Sequence, residues 1–196
     1  MLPADAPTVI LDPPAAKTFD GEVKRLIDIA NSEVGYRGKR SANKLDDANA
    51  NPGGCFTKYA RDLDALNWFY GKKQGYAYCT VGITWSFVQA FGAELARKLL
   101  KQPTRNNFAA DVGFFADYIG TKVKPTEVQE GDIVVLGKDD HVELVVGFSG
   151  EYMVCVSFNS TDGAGSFVNR CVFSPKHQNV SRIVRPDWSV LLTEEV

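Results

Sequence analysis

Residues 79–91, Cys-Thr-Val-Gly-Ile-Thr-Trp-Ser-Phe-Val-Gln-Ala-Phe, carry apolar side chains on nearly every side of a helical wheel. A helix of that kind is buried from several directions, so the rest of the chain must be built around it. The stretch leading into it, Gly75-Tyr76-Ala77-Tyr78, is a glycine-containing aromatic turn that delivers Cys79 to the first helical turn. A thiol there meets unpaired backbone N–H groups and the positive end of the helix dipole, both of which favour thiolate over thiol. Cysteine is also commonly buried as plain packing. Cys79 is therefore a candidate nucleophile only if another part of the chain supplies it with a base.

A chain of 196 residues suits one domain with a full core. Its formal charge of −2 makes no electrostatic case for nucleic acid or for an anionic membrane. No apolar run approaches the ~20 residues that cross a bilayer, so no membrane insertion is expected. Residues 1–20 hold Pro3, Pro7, Pro13 and Pro14, lack a basic start and build no signal-peptide core, which predicts a cytoplasmic protein in the producing cell. The four cysteines (Cys55, Cys79, Cys155, Cys171) form no CxxC pair, and only His141 and His177 could join them on zinc, so reduced thiols are expected.

In chain order, residues 1–19 read as an extended arm in which Val9-Ile10-Leu11 is a docking strip. Asp20 is placed to cap a helix whose Val23, Leu26, Ile27 and Ala30 recur at helical spacing and which ends near Gly35. Asp46, Asp47, Asn49 and Asn51 offer calcium-type oxygen ligands without the ordered spacing of a calcium loop; the segment is read as a turn, and no metal or cofactor is expected. Thr57–Leu66 reads as a short helix. Trp68-Phe69-Tyr70 then belongs either to the core or to a substrate groove. The central helix is expected to run to about Leu100, with Pro103 beyond it and another helix over 106–118. From Glu130 the pattern changes to strands over 131–136, 141–148, 152–159, 167–173 and 181–184. Helices first and an antiparallel meander second predict an α+β domain over residues 20–188, followed by a short tail at 189–196.

One hairpin supplies the candidate base. A three-residue turn at Ser149-Gly150-Glu151 pairs Phe148 with Tyr152, which sets His141 opposite Asn159 and Glu143 opposite Ser157. Strand alternation then puts Val142, Leu144, Val146 and Phe148 on one face, opposite Phe158, Val156, Val154 and Tyr152. The other face carries His141, Glu143, Ser157 and Asn159. An imidazole held by an amide or a carboxylate is what a cysteine nucleophile requires, because histidine takes the thiol proton and returns it to a leaving amine. His177, in a surface loop with no orienting partner, is the weaker candidate.

At this point the chain resembles the CHAP amidases (cysteine, histidine-dependent amidohydrolases/peptidases), papain-like peptidoglycan hydrolases of phage lysins and bacteria. The matching stretches are Leu45-Asp46-Asp47, Thr57–Asp64, Gly71–Ala77, Cys79, Trp85, Phe87–Ala90, Gly131-Asp132, Asp140-His141, Asn159 and Arg185–Trp188, in order across residues 22–188. The resemblance implies a papain-like fold, Cys79 as nucleophile, His141 as base and Asn159 as the residue orienting the imidazole. It implies cleavage of peptidoglycan amide bonds, as an N-acetylmuramoyl-L-alanine amidase or an endopeptidase, with a phage virion or lysis machinery as the route to the wall. Tyr76, Tyr78, Trp68 and Ser157 are expected at the substrate. The chain departs from the family at Glu143, where the family favours glycine, and at Ser157, where it often has glutamate. Because these positions face each other, Glu143 is expected either to replace that carboxylate from across the hairpin or to fill the space where substrate approaches. The second case would make the protein a catalytically inactive wall-binding or virion structural protein.

Overall fold

A computed structural model describes residues 19–48, 50–104 and 107–192. The helices are α1 (Asp20–Ser32), α2 (Lys58–Ala65), α3 (Cys79–Phe91), α4 (Ala93–Leu99) and α5 (Val112–Ile119), and the strands are β1 (Ile133–Leu136), β2 (His141–Ser149), β3 (Tyr152–Asp162), β4 (Gly165–Phe173) and β5 (Val180–Val184). The five strands form one antiparallel sheet in the order β4-β3-β2-β1-β5. This is the expected α+β architecture. Among the described residues no helix is long and apolar enough to cross a membrane.

Helix α3 is buried at every position from Cys79 to Phe87 and contacts α1, α2, α4, β2 and β3. Its first turn comes so near the sheet that only glycine fits at position 82, where an added Cβ would stand 2.2 Å from the Phe158 ring. The expected single helix to Leu100 is two helices, because Gly92 adopts a φ of 78° between α3 and α4. Two helices start on side-chain caps: Thr57 accepts from the Ala60 N–H, and Asp111 accepts from that of Phe114. The Asp111 cap starts α5 later than the expected 106. Asp20 is the first helical residue of α1 rather than its cap; Phe19 takes the cap position.

The β2–β3 hairpin turns on two residues, Gly150 and Glu151, with Ser149 paired to Tyr152, so the expected three-residue turn is shortened by one. A bulge between Val145 and Gly147 puts an extra residue on β2 and restores the expected register from Val145–Cys155 onward, including Glu143 opposite Ser157. Val142, Leu144, Val146, Val156 and Phe158 thus join the helices in the main core, while Val134, Val145, Met153, Cys155 and Ile183 form a smaller cluster. Phe148 and Tyr152, expected on the core face, lie beyond the bulge and are exposed.

The arm at 1–18, with Val9-Ile10-Leu11, lies outside the described residues; Phe19 packs on the core. Residues 189–192 of the expected tail belong to a 3-10 helix, Trp188–Leu192, whose Trp188 stacks on Phe87 and whose Val190 and Leu191 meet the core. All four cysteines are free thiols.

Candidate active site

Helix α3 opens on Cys79 with Tyr78 at the cap position and no side-chain cap, so its first N–H groups are open to other acceptors. The N–H groups of Thr80, Val142 and Cys79 itself act on the Cys79 sulfur and pull its pKa down. Burial outweighs them, Asp111 adds to it, and the thiol is held above its ordinary range; the residue is only 6% exposed. The resting group is therefore a thiol and not the expected thiolate. Val142 follows His141 in the chain, so the sulfur lies against the start of β2.

His141 is the first residue of β2, and its Nε2 is 2.7 Å from Ser157 Oγ. Ser160 Oγ donates to the same Ser157 oxygen at 2.9 Å. Burial lowers the His141 pKa, so the imidazole is neutral near pH 7. Glu143 sits two residues on, directly opposite Ser157, with Oε1 3.8 Å from His141 Nε2. Its side chain is 5% exposed. Burial raises the Glu143 pKa, and hydrogen bonding with Ser157 and Cys171 opposes that rise.

Among the described residues no hydrogen bond joins Asn159 to His141. A bulge between Ser157 and Ser160 interrupts the pairing with β4, and Asn159 within it has a φ of 65°. That left-handed conformation takes its side chain off the ladder, and Oδ1 points to the Cys55 thiol, 3.9 Å away. The imidazole partner is Ser157, a residue expected at the substrate. Ser157 itself is buried.

Two more expected substrate contacts belong to the core. Trp68 is fully buried, with Nε1 donating to Gln102 Oε1 at 2.6 Å. The Tyr78 ring is fully buried and packs on Tyr59, 5.9 Å away between centroids. Tyr76 alone of these four is exposed. It lies on a braced loop: the Asp64 carboxyl accepts from the N–H groups of Lys73 and Gln74, and the Gln74 amide bonds both the N–H and the carbonyl of Thr57. The motif residues between 57 and 74 therefore hold the approach to Cys79. Asp62 likewise accepts from Trp85 Nε1. Asp46, in the loop weighed for calcium, is engaged bidentately by Arg61 at 2.7 and 2.9 Å. His177 is in an exposed turn, with Nδ1 accepting from the Asn179 N–H.

Sequence reasoning missed an exposed aromatic stack. Tyr70 and Phe108 are 5.1 Å apart between centroids, Phe108 and Phe114 are 5.5 Å apart, and all three rings are exposed. Thr80 Oγ1 donates to Ala110 O, which ties this stack to the residue after Cys79. Nothing in the spacing of 70, 108 and 114 signals the stack, because loops bring these residues together.

A scan of protein-family profiles returns no match, and a search of curated proteins returns none. Among solved structures, the peptidoglycan hydrolase RipB from Mycobacterium tuberculosis is similar at a TM-score of 0.46 and 17% identity, over 89% of this chain and 72% of that one. Ly7917 is similar at a TM-score of 0.41 and 12% identity, over 84% of this chain and 62% of that one.

Proposed function

We propose that this chain is a cysteine amidohydrolase or peptidase that cleaves amide bonds of bacterial peptidoglycan, with Cys79 as nucleophile and His141 as base. The observation that carries this reading is that the N–H of Val142, the residue after His141, acts on the Cys79 sulfur at the uncapped start of α3. With Nε2 occupied, Nδ1 is the nitrogen left for the thiol proton. In the proposed reaction Nδ1 takes that proton as sulfur attacks the amide carbonyl carbon. Uncapped N–H groups of the first turn of α3 stabilise the oxyanion. The imidazolium then protonates the leaving amine, the C–N bond breaks, and water hydrolyses the thioester. A resting thiol–imidazole pair, neutral on both sides, means that proton transfer accompanies attack.

The substrate class rests on the CHAP resemblance of the motifs from Leu45 to Trp188. The exposed cluster of Tyr70, Phe108 and Phe114, its rings tilted to one another and its loop tied to the helix start through Thr80 and Ala110, adds an apolar aromatic surface suited to sugar rings. The protein would meet its substrate after lysis, virion delivery or export. A second reading, a non-catalytic wall-binding or virion structural protein, is favoured by the burial of Cys79 and its raised pKa.

A zymogram on purified peptidoglycan, wild type against Cys79→Ala, separates the two. Clearing by the wild type that the variant loses supports the enzyme; wall binding without clearing by either supports the second reading. Mass spectrometry of the released muropeptides then distinguishes amidase from endopeptidase by the bond that was cut.

A further inference from the structure

We propose that the cavity between the start of α1, the segment 128–130 and the end of β2 is the docking site of this chain's own N-terminal arm. Residues 9–14, Val-Ile-Leu-Asp-Pro-Pro, lie across it, and a backbone carbonyl of that stretch accepts from Trp188 Nε1. The cavity holds about 620 Å³, and Phe19, Val23, Val128, Phe148 and Trp188 give it apolar walls. Val128 and Phe148 also border a second depression of about 350 Å³, so an extended segment has room to continue past them.

The tryptophans single this cavity out. The chain has three. Trp68 Nε1 donates to Gln102 Oε1, and Trp85 Nε1 donates to Asp62 Oδ2. Trp188 Nε1 is buried and has no hydrogen-bond partner among the described residues, in a side chain belonging to a residue only 5% exposed. The ring edge beside that nitrogen faces the cavity wall: a Cβ on Gly131 would stand 2.9 Å from Trp188 Cζ2, 3.6 Å from Cε2 and 3.2 Å from Val23. An indole N–H only donates, and an unpaired one away from water costs its full desolvation, so this wall calls for an acceptor. Phe148, 44% exposed, adds an uncovered ring to the same cavity.

The arm is the occupant that fits because the chain enters the fold at the cavity itself. Phe19, the residue that follows the arm, is one of the walls. From Pro14 to Phe19 an extended chain spans at most ~16–18 Å, enough to return residues 9–14 to a cavity that Phe19 borders. Pro13 and Pro14 have no N–H, and proline-rich stretches favour a backbone whose carbonyls are unpaired and turned outward. Stretches of that kind dock in aromatic-lined grooves. Val9, Ile10 and Leu11 supply the apolar side chains for Val128 and Phe148. Tethering gives the arm an effective concentration on the order of millimolar, so a short strip suffices. Because His141 begins β2 and Phe148 lies near its other end, the docking site is separate from the catalytic residues proposed above.

Indole signals test the proposal in the full chain. Labelling with 15N-tryptophan gives three indole N–H resonances, and Trp188→Phe assigns one of them. A full-length variant carrying Val9→Asp, Ile10→Asp and Leu11→Asp is expected to shift the Trp188 proton upfield and to speed its exchange with solvent about tenfold, the factor that one hydrogen bond of ordinary net strength accounts for. The Trp68 and Trp85 signals are expected to stay in place. A synthetic peptide of residues 1–18 is expected to leave the wild-type spectrum unchanged and to return the Trp188 signal of the variant toward its wild-type position.

A Trp188 signal that is the same in the wild type and the arm variant overturns the proposal. So does a wild-type Trp188 signal that the peptide shifts, which would show the cavity open. A signal that moves with protein concentration while the sedimenting mass doubles assigns the cavity to a second copy instead, and also overturns it. Should the triple variant fail to fold, Leu11→Ser carries the same expectation with a milder change. No outcome depends on peptidoglycan cleavage, so the test stands apart from the function proposed for Cys79.

Discussion

Helix α3 lies close against the sheet at Gly82, and replacing it with alanine tests whether that approach positions the site. The added Cβ would stand 2.2 Å from Phe158 Cδ1, 2.3 Å from Cγ and 2.8 Å from Cβ. Non-bonded carbons rest at about 3.5–4.0 Å, so the ring or the helix must retreat by about 1.3–1.8 Å. Phe158 has no free direction, being fully buried and edge-on to Tyr59 with centroids 5.3 Å apart. Two effects compete. Alanine gains ~1 kcal/mol over glycine in helix propensity. Overpacking a close-fitted core costs ~1–3 kcal/mol, and a required shift above one ångström places this site at the upper end. The expected net effect is a loss of ~1–2 kcal/mol. Phe158 also follows Ser157 directly, so its retreat moves the hydroxyl that holds His141, and cleavage is expected to fall further than stability alone accounts for.

Urea unfolding of the wild type, Gly82→Ala, Phe158→Leu and the double variant measures this. Phe158→Leu alone is expected to cost ~1–2 kcal/mol through lost apolar burial. Because the smaller side chain makes room for the new methyl, the double variant should be at least ~1 kcal/mol more stable than the sum of the single losses. Gly82→Ala as stable as the wild type or more so, or additivity within ~0.5 kcal/mol, would refute the close-contact argument.

Two further outcomes follow from burial. The Cys79 and Cys155 thiols are raised by burial, Cys171 is pushed up to about 12 and Tyr36 to about 12, so the folded state holds protons that the unfolded chain releases above about pH 8.5 for thiols and about pH 10 for tyrosine. The native state then binds more protons than the unfolded one, and stability falls as pH rises through this window, by up to ~1.4 kcal/mol per pH unit for each such group. Denaturant midpoints measured between pH 8 and 11 should decline, and Cys155→Val should flatten the decline; a flat wild-type profile would contradict it. Separately, Arg185 grips the fully buried Asp132 with Nε 2.7 Å from Oδ1 and a terminal nitrogen 2.9 Å from Oδ2. Arg185→Met should cost ~3–5 kcal/mol in chemical denaturation by stranding that carboxyl, and adding Asp132→Asn should restore part of the loss.

Much of this architecture could be read from the chain because its causes are local. The apolar surround of residues 79–91 required a buried helix, and alternation over 141–148 required a strand with one core face. Glu143 opposite Ser157 was also legible, but the expected turn length and the observed one differ by a residue, and the Val146 bulge compensates. That bulge is a backbone feature, and no side-chain pattern between 142 and 148 announces it. The same holds for Asn159, whose left-handed backbone lies in a second bulge with Oδ1 at the Cys55 thiol. Trp68 was open to a groove or a core and Tyr78 was expected at the substrate; an aromatic ring satisfies both settings, and only the closed packing assigns the two to the core.

The site's chemistry was less legible than its residues because pKa and hydrogen-bond direction are properties of the packed surroundings. A helix N-terminus is visible in sequence, and it does direct N–H groups at Cys79. Desolvation is not visible, and here it outweighs them. For Glu143 the sequence left two roles open, support for the histidine or obstruction of the substrate. A separation of 3.8 Å from Nε2, against 2.7 Å for Ser157, changes the first. A carboxylate placed across the hairpin does not replace one at position 157 by direct contact, since opposed strand residues share a face without aiming at the same third atom. The imidazole is engaged instead by the small hydroxyl at 157.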